Sequence, residues 1–240
     1  MLEGTMLDGL ILLAGGMAVV STLFGVAVHI RRKRRRGKEN LGFLLAREVG
    51  GRCIEGPWPE FGEMVKGLAG LGLTAFPTSY VVLARNGDKD VVFFEAGGDE
   101  SMEGGPVWSG CILRSRRPLS LPMLVFKGDE RGECGGEGRG GVPQDWDRVE
   151  VREGPLAGYT LASPRVEEAM EMLKKRVART LARVARAVEG SVLPKCLVFQ
   201  VVDDRLALYT YEERLVDVGH FLALYRGARR ILAAFTGEGE

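Results

Sequence analysis

Residues Gly9–Ile30, GLILLAGGMAVVSTLFGVAVHI, form an apolar stretch that contains no Asp, Glu, Lys or Arg. Six consecutive cations, Arg31–Arg36, follow at once. About 20 apolar residues are enough for one helix to cross roughly 30 Å of hydrocarbon. Because Lys and Arg beside a span favour the cytoplasmic side, the stretch predicts a single-pass transmembrane helix in the cell membrane, with the N-terminus outside and the C-terminal domain cytoplasmic.

Two other interpretations of Gly9–Ile30 fit less well. A secretory signal peptide carries its positive charges before the apolar core, whereas here they come after it. A buried helix of a globular domain seldom extends for 22 residues without a charge, and it does not usually end in six cations. We therefore expect residues 1–36 to form a transmembrane anchor with a basic stop-transfer flank.

Charge limits the classes of partner. Residues 1–39 carry a net charge of +4 within a total of +1 for all 240 residues, which leaves −3 for residues 40–240. A slightly acidic domain lacks the basic surface of a nucleic-acid-binding protein, so we expect no nucleic-acid partner. The basic flank is instead expected to contact anionic membrane lipid.

Composition divides the rest of the chain into three segments. Residues 37–58 are interpreted as a juxtamembrane linker, residues 59–146 as the strand-rich N-terminal part of a cytosolic domain, and residues 147–240 as a ββα-ββα C-terminal part. The predicted fold class is α+β: a single N-terminal transmembrane helix followed by a cytosolic domain with an antiparallel sheet and two long amphipathic helices.

The strand-rich part begins with a short helix. Pro59 suits the first helical position, apolar residues follow at helical spacing, and glycines close the helix. The apolar positions are Phe61, Met64, Val65 and Leu68. Short runs of β-branched and aromatic residues then predict strands at Ser79–Ala84, Val91–Glu95, Val107–Leu113 and Pro122–Lys127.

Two amphipathic helices organise the C-terminal part. Ser163-Pro164 supplies a capping residue and a first-turn proline for the first helix, which ends at Gly190. Its apolar positions recur every three or four residues, as in a helix that packs one face on a sheet. They are Val166, Met170, Leu173, Val177, Leu181, Val184 and Val188. The second helix is predicted from about Val216 to Phe235, with Asp217 near its start.

The two ββα units share a short sequence. The pattern L-A-x-Y-T occurs at Leu156–Thr160 and again, 50 residues later, at Leu206–Thr210. The same shift places Val177 on Gly227, so the apolar faces of the two helices fall out of phase. The pattern is compatible both with a duplication and with chance similarity.

Histidine and cysteine do not form a recognisable site. The four cysteines, Cys53, Cys111, Cys134 and Cys196, stand far apart without a C-x-x-C pair, which is not the spacing of a zinc site. Cys111 and Cys196 are interpreted as unreactive core residues. Cys134 is expected to be exposed in a glycine-rich loop, as an inert or a reactive thiol. A lone histidine such as His220 is more often a surface or packing residue than a metal ligand or a general base.

Two glycine-rich segments, Gly97–Gly105 and Gly128–Gly141, interrupt the strands. A P-loop requires G-K-[ST] at the start of a helix, and a dinucleotide loop requires a helix directly after its glycines. Neither segment meets these requirements, so both are interpreted as flexible loops. The sequence therefore predicts no catalytic, cofactor-binding or metal-binding residues and no cofactor.

These observations favour binding over catalysis. The predicted function is a membrane-anchored cytosolic interaction module or an accessory subunit of a membrane complex, with a protein partner or a second copy of the chain as its ligand. The alternative is a membrane-tethered enzyme that uses carboxylates on a small or membrane-derived substrate. A basic stripe on the first long helix is either merely solvated or a contact for anionic lipid or an acidic partner; it consists of Lys175, Arg179, Arg183 and Arg186.

Overall fold

The computed structural model of the protein describes residues 41–56, 58–68, 78–86, 89–97, 107–127, 142–189, 196–211, 215 and 217–237. The stretch Gly9–Ile30 and the cations Arg31–Arg36 lie outside the described residues. So do Cys134 and the whole of Gly128–Gly141.

Nine strands occur in this part of the chain. They are β1 (Arg52–Glu55), β2 (Thr78–Asn86), β3 (Lys89–Gly97), β4 (Val107–Arg114), β5 (Met123–Lys127), β6 (Asp147–Val151), β7 (Tyr159–Ser163), β8 (Cys196–Val202) and β9 (Arg205–Tyr211). All nine belong to one sheet in the order β1-β2-β3-β4-β9-β8-β5-β7-β6, and every neighbouring pair is antiparallel. The edge strands are β1 and β6.

Five α-helices occur in the described part of the chain. They are α1 (41–49), α2 (Phe61–Val65), α3 (Val166–Met172), α4 (Ala178–Glu189) and α5 (Val218–Thr236). One π-helical turn, Leu173–Val177, joins α3 to α4 without a break, and a 3₁₀ turn, Gly154–Leu156, lies between β6 and β7.

The first face of the sheet is covered by α1, by α3 with α4, and by α5. The apolar seam of the first long helix is buried there at Leu173, Val177, Leu181, Val184 and Val188. From the sheet, Phe93 meets α5 edge-on: its ring centroid lies 6.4 Å from that of Phe221 and 5.6 Å from that of Tyr225. α4 packs against α5, which completes the larger of the two cores.

The second face has a thinner cover. The α2 segment contributes the buried side chains of Phe61, Val65 and Leu68, and the ring of Phe61 lies 5.3 Å from that of Phe94 on β3. Trp146 packs against the same core from the chain before β6. Side chains along a strand alternate between the two faces of the sheet. In the central strands the residues on both faces are apolar, and each face contributes to one of the two cores.

The predicted fold class is wrong. Among the described residues, no helix combines the length and the apolar character that a membrane crossing requires, so a single-pass transmembrane fold has no support here. Strands of the strand-rich part and of the ββα-ββα part share one sheet, in which β5 lies between β7 and β8 and β4 pairs with β9. Alternation along a strand identifies its buried faces but does not name its neighbour. The predicted location and orientation depend on residues outside the described part and stay predictions.

Ser163 has a different role from the one predicted. It is the last residue of β7, and its buried Oγ donates to the carbonyl oxygen of Pro122 at 2.7 Å and accepts from the N–H of Arg165 at 3.1 Å. The helix begins only at Val166. By contrast, Asp217 caps α5, because its Oδ1 accepts a hydrogen bond from the N–H of Gly219 at 2.6 Å.

The repeated L-A-x-Y-T is not a structural repeat. In its first occurrence, Leu156 ends the 3₁₀ turn and Tyr159 packs in the core of the first face. In its second occurrence all five residues belong to β9, and Tyr209 packs in the core of the second face. The same letters therefore adopt different conformations, and their two tyrosines face opposite sides of the sheet.

Gly110 permits the pairing of β4 with β9. A methyl group added at Gly110 would overlap Cβ of the opposing Tyr209 and would meet the backbone as well, at 2.5 Å from the carbonyl oxygen of Leu208. The absence of a side chain at this position lets the Tyr209 side chain pack over it. This pairing is the join between the two halves of the sheet.

We predict that Gly110→Ala lowers the free energy of unfolding by about 2–3 kcal/mol. The added methyl group would clash with the backbone of β9, which cannot easily move because the strand is buried. Urea unfolding followed by circular dichroism measures the change. Gly62→Ala is the matched control: a Cβ there meets nothing within 4 Å, and alanine favours the α2 helix. Equal stability of the two variants would contradict the close approach of the strands.

Candidate functional site

A groove of about 700 Å³ lies between the α2 segment and the second face of the sheet, and it is open to solvent on one side. The strands that form its floor are β2 and β3, and its end wall is formed by β4 and the β8–β9 turn. Its apolar lining consists of Trp58, Met64, Leu83, Ala84, Val91 and Val92. Its charged lining consists of Glu60, Glu63, Lys66, Asp90, Arg114, Asp203, Asp204 and Arg205.

The strand register builds this groove in two rows. Leu83 on β2 lies opposite Val92 on β3, which gives an apolar floor. In the next row toward the turn, Asp90 lies opposite Arg114, and Arg114 lies opposite Arg205. Residues directly opposite on antiparallel strands place their side chains on the same face. The register alone therefore brings one carboxylate and two guanidinium groups to the end of the groove.

Arg205 attaches the α2 segment to the sheet. Its NH1 donates to the carbonyl oxygens of Glu63, at 3.1 Å, and Met64, at 3.0 Å, which lie in the last turn of α2. Its NH2 donates to Oδ2 of Asp203 at 3.1 Å, and its Nε lies 3.7 Å from Oδ1 of Asp204. With 9% of its surface exposed, Arg205 is buried, it pairs with two carboxylates, and three of its N–H groups donate in these contacts.

Gln200 makes a second attachment. Its buried side-chain amide donates to the carbonyl oxygen of Gly67 at 3.1 Å. Carbonyls at the end of a helix have no partner within the helix and must find one elsewhere. Strands β8 and β9 therefore supply donors to three carbonyls of one short segment, and these bonds hold α2 over the floor of the groove.

The β8–β9 turn is fixed from several sides. Asp203 adopts a left-handed conformation with φ of 53°, which Asp tolerates better than most residues, and its carbonyl oxygen accepts from the N–H of Leu119 at 2.6 Å. The carbonyl oxygen of Asp204 accepts from the N–H of Ser115 at 2.7 Å. Nε of Arg114 donates to Oδ2 of Asp204 at 2.7 Å, and this hydrogen bond, with the charge of Asp204, raises the pKa of Arg114.

The rim formed by α2 is acidic and exposed. Glu60 and Glu63 lie on the solvent side of the groove, with Lys66 one turn further along. In total, five carboxylates and three cations line the groove. Since Asp203 and Asp204 pair with the two arginines, the exposed pair Glu60 and Glu63 presents negative charge to an incoming ligand.

The residues considered from the sequence lie elsewhere. His220 is on α5, on the first face, and Cys111 is fully buried, where desolvation raises the pKa of its thiol. Within the described ranges, no group of three or more His, Cys, Asp and Glu could hold a metal ion. The basic stripe is exposed on the π turn and on α4, where Nζ of Lys175 pairs with Glu171 and Nε of Arg186 donates to the carbonyl oxygen of Ala182.

No protein-family model matches the chain, and no curated protein or solved structure is significantly similar to it.

Sequence reasoning did not identify the residues of the groove. Asp204 stands in the turn between β8 and β9 and Arg205 is the first residue of β9, positions where exposed charge is ordinary. Arg205 reaches the carbonyls of residues 63 and 64 only because the sheet register carries β9 under α2. The one local signal was the pair Asp203-Asp204 between two strand patterns, and it predicts a turn without indicating what the turn holds.

We predict that Arg205→Met lowers the free energy of unfolding by about 2–3 kcal/mol, because three carbonyl and carboxylate acceptors lose their donor. Hydrogen exchange should show that the amides of residues 61–68 lose protection before the amides of the strands do. Arg230→Met, at an exposed position of α5, is the control and should change stability by less than about 0.5 kcal/mol. Protection of α2 that is unchanged in Arg205→Met would show that Arg205 does not hold the segment.

Proposed function

We propose that this protein is an interaction module whose groove between α2 and the sheet binds a short extended segment of a partner protein. The observation that carries the proposal is the pairing inside the groove. Arg205 is occupied by carbonyl oxygens of the α2 segment and by Asp203, and Nε of Arg114 donates to Asp204 while 54% of the Arg114 side chain stays exposed. The groove therefore offers a ligand an apolar floor and, along α2, an acidic rim.

Charge and shape define the partner segment. An apolar side chain fits over Leu83 and Val92, where burial contributes about 25 cal/mol per Å². A Lys or Arg in the same segment is attracted to Glu60 and Glu63 on the rim. A groove open on one side covers a peptide better than it encloses a small molecule, which sites of this volume usually bury almost completely.

Catalysis finds less support in the same groove. General acid–base chemistry needs carboxylates that are available to a substrate. Asp203 and Asp204 instead pair with Arg205 and Arg114, and Asp90 and the two rim glutamates are exposed to water. The geometry therefore favours recognition over carboxylate-based hydrolysis or proton transfer.

The test is selection of peptides from a random displayed library on the immobilised full chain. We predict enrichment of peptides that combine an apolar side chain with a Lys or Arg. The dissociation constant of an enriched peptide, measured by calorimetry, should rise about tenfold or more in the double variant Glu60→Lys with Glu63→Lys, because two attractions become repulsions.

The control reverses the same number of charges outside the groove. Glu48→Lys with Glu167→Lys alters two exposed glutamates on α1 and α3 and should leave the dissociation constant unchanged. Selection that yields no enriched peptide, or an enriched peptide that binds the wild-type chain and the rim variant equally, would contradict the proposal.

A further inference from the structure

The edge strand β6 is exposed along most of its length. Asp147, Arg148, Val149 and Glu150 are all exposed, and only Val151 at its end is buried. Among the described residues, β6 pairs with β7 on one side and with no strand on the other. A strand edge of this kind presents backbone donors and acceptors that another strand can pair with.

Side-chain alternation sorts the exposed residues of β6 by face. Val149 lies opposite Leu161, which is buried on the first face, so Val149 belongs to that face with 39% of its surface exposed. Arg148 and Glu150 point to the second face. Their opposite residues on β7 are Ala162 and Thr160, so neither meets an opposite charge on that neighbouring strand.

This pattern is complementary to itself. Two copies of β6 can pair antiparallel about a two-fold axis perpendicular to the sheet. Residues that lie opposite each other then have their side chains on the same face of the sheet, so the sum of their residue numbers is even. Centred on Val149, the pairing places Arg148 opposite Glu150 of the second copy, and Glu150 opposite Arg148. Val149 then faces its own copy on the other side of the sheet.

Other registers and the other edge lack this complementarity. Centring on Arg148 or on Glu150 would oppose like charges, which destabilises a strand pair. On β1, Arg52 and Glu55 differ in number by three, so the same symmetry never places one opposite the other. Among registers that pair residues within the described edge strands β1 and β6, the one on β6 centred on Val149 is therefore the one that pairs opposite charges.

We propose that two copies of this chain associate through β6, antiparallel and centred on Val149, to form one continuous sheet. The two-fold axis keeps the helix-covered face of both copies on the same side. The contact is short, so the dimer is weak and depends on concentration and on salt. This surface is separate from the groove, since β8, β5 and β7 lie between β9 and β6 in the sheet.

Charge reversal tests the register. Sedimentation of the full chain should show a dimer whose dissociation constant rises about tenfold or more in Arg148→Glu and in Glu150→Arg, because each replaces two attractions by repulsions. The double variant Arg148→Glu with Glu150→Arg should recover the wild-type value. An equimolar mixture of the two single variants should form a mixed dimer, since one β6 is then acidic and the other basic.

Cysteine crosslinking gives a second, register-specific measurement. Val149→Cys, oxidised with copper phenanthroline, should give a disulfide-linked dimer, because the two β-carbons face each other across the axis. Arg148→Cys should crosslink much less, since position 148 faces position 150. The wild-type chain, with its four native cysteines, measures the background.

A wild-type chain that sediments as a monomer at all concentrations would overturn the proposal. Self-association that is unaffected by either single charge reversal, or crosslinking at position 148 as strong as at 149, would overturn it as well. Peptide binding in the groove does not involve β6, so these outcomes are independent of the groove experiment.

Discussion

The pairing of β4 with β9 is the constraint on which the rest of the structure depends. It joins residues that lie about a hundred positions apart in the chain, and it is possible because Gly110 leaves room for Tyr209. The same register sets Arg114 beside Arg205 and carries β9 under α2. If this pairing were shifted by one residue, the side chains of the groove would face the helices instead.

The groove and the edge strand β6 lie far apart on one sheet and depend on different kinds of interaction. In the groove, the buried polar side chains Arg205 and Gln200 are consumed in holding α2, which leaves apolar surface and a charged rim for recognition. At β6 the backbone itself is the recognition element, and side-chain charge selects the register. Under the two proposals, one copy would bind a partner segment while it pairs with another copy, and the dimer would present two grooves, which would raise the avidity for a multivalent partner.

The sequence was informative about elements and uninformative about their arrangement. The seam from Leu173 to Val188 is buried as its period indicates, and Asp217 caps α5, because both features are local. The prediction of Ser163 as a helix cap was wrong because the end of β7 and the start of α3 are joined by one short turn. Ser163 ends the strand, and its Oγ accepts from the N–H of Arg165 within that turn. The order of strands and the position of Arg205 under α2 depend on contacts between distant residues, which no local pattern contains. The predicted transmembrane fold was inferred from residues outside the described part and finds no support in the rest.

The central claim is the register of β4 on β9, and nuclear Overhauser contacts across this strand pair test it most directly. We expect cross-strand contacts from Gly110 to Tyr209 and from Ile112 to Ala207, with slow amide exchange along both strands. Contacts displaced by one or more residues, or fast exchange throughout β9, would contradict the claim and remove the basis of the groove.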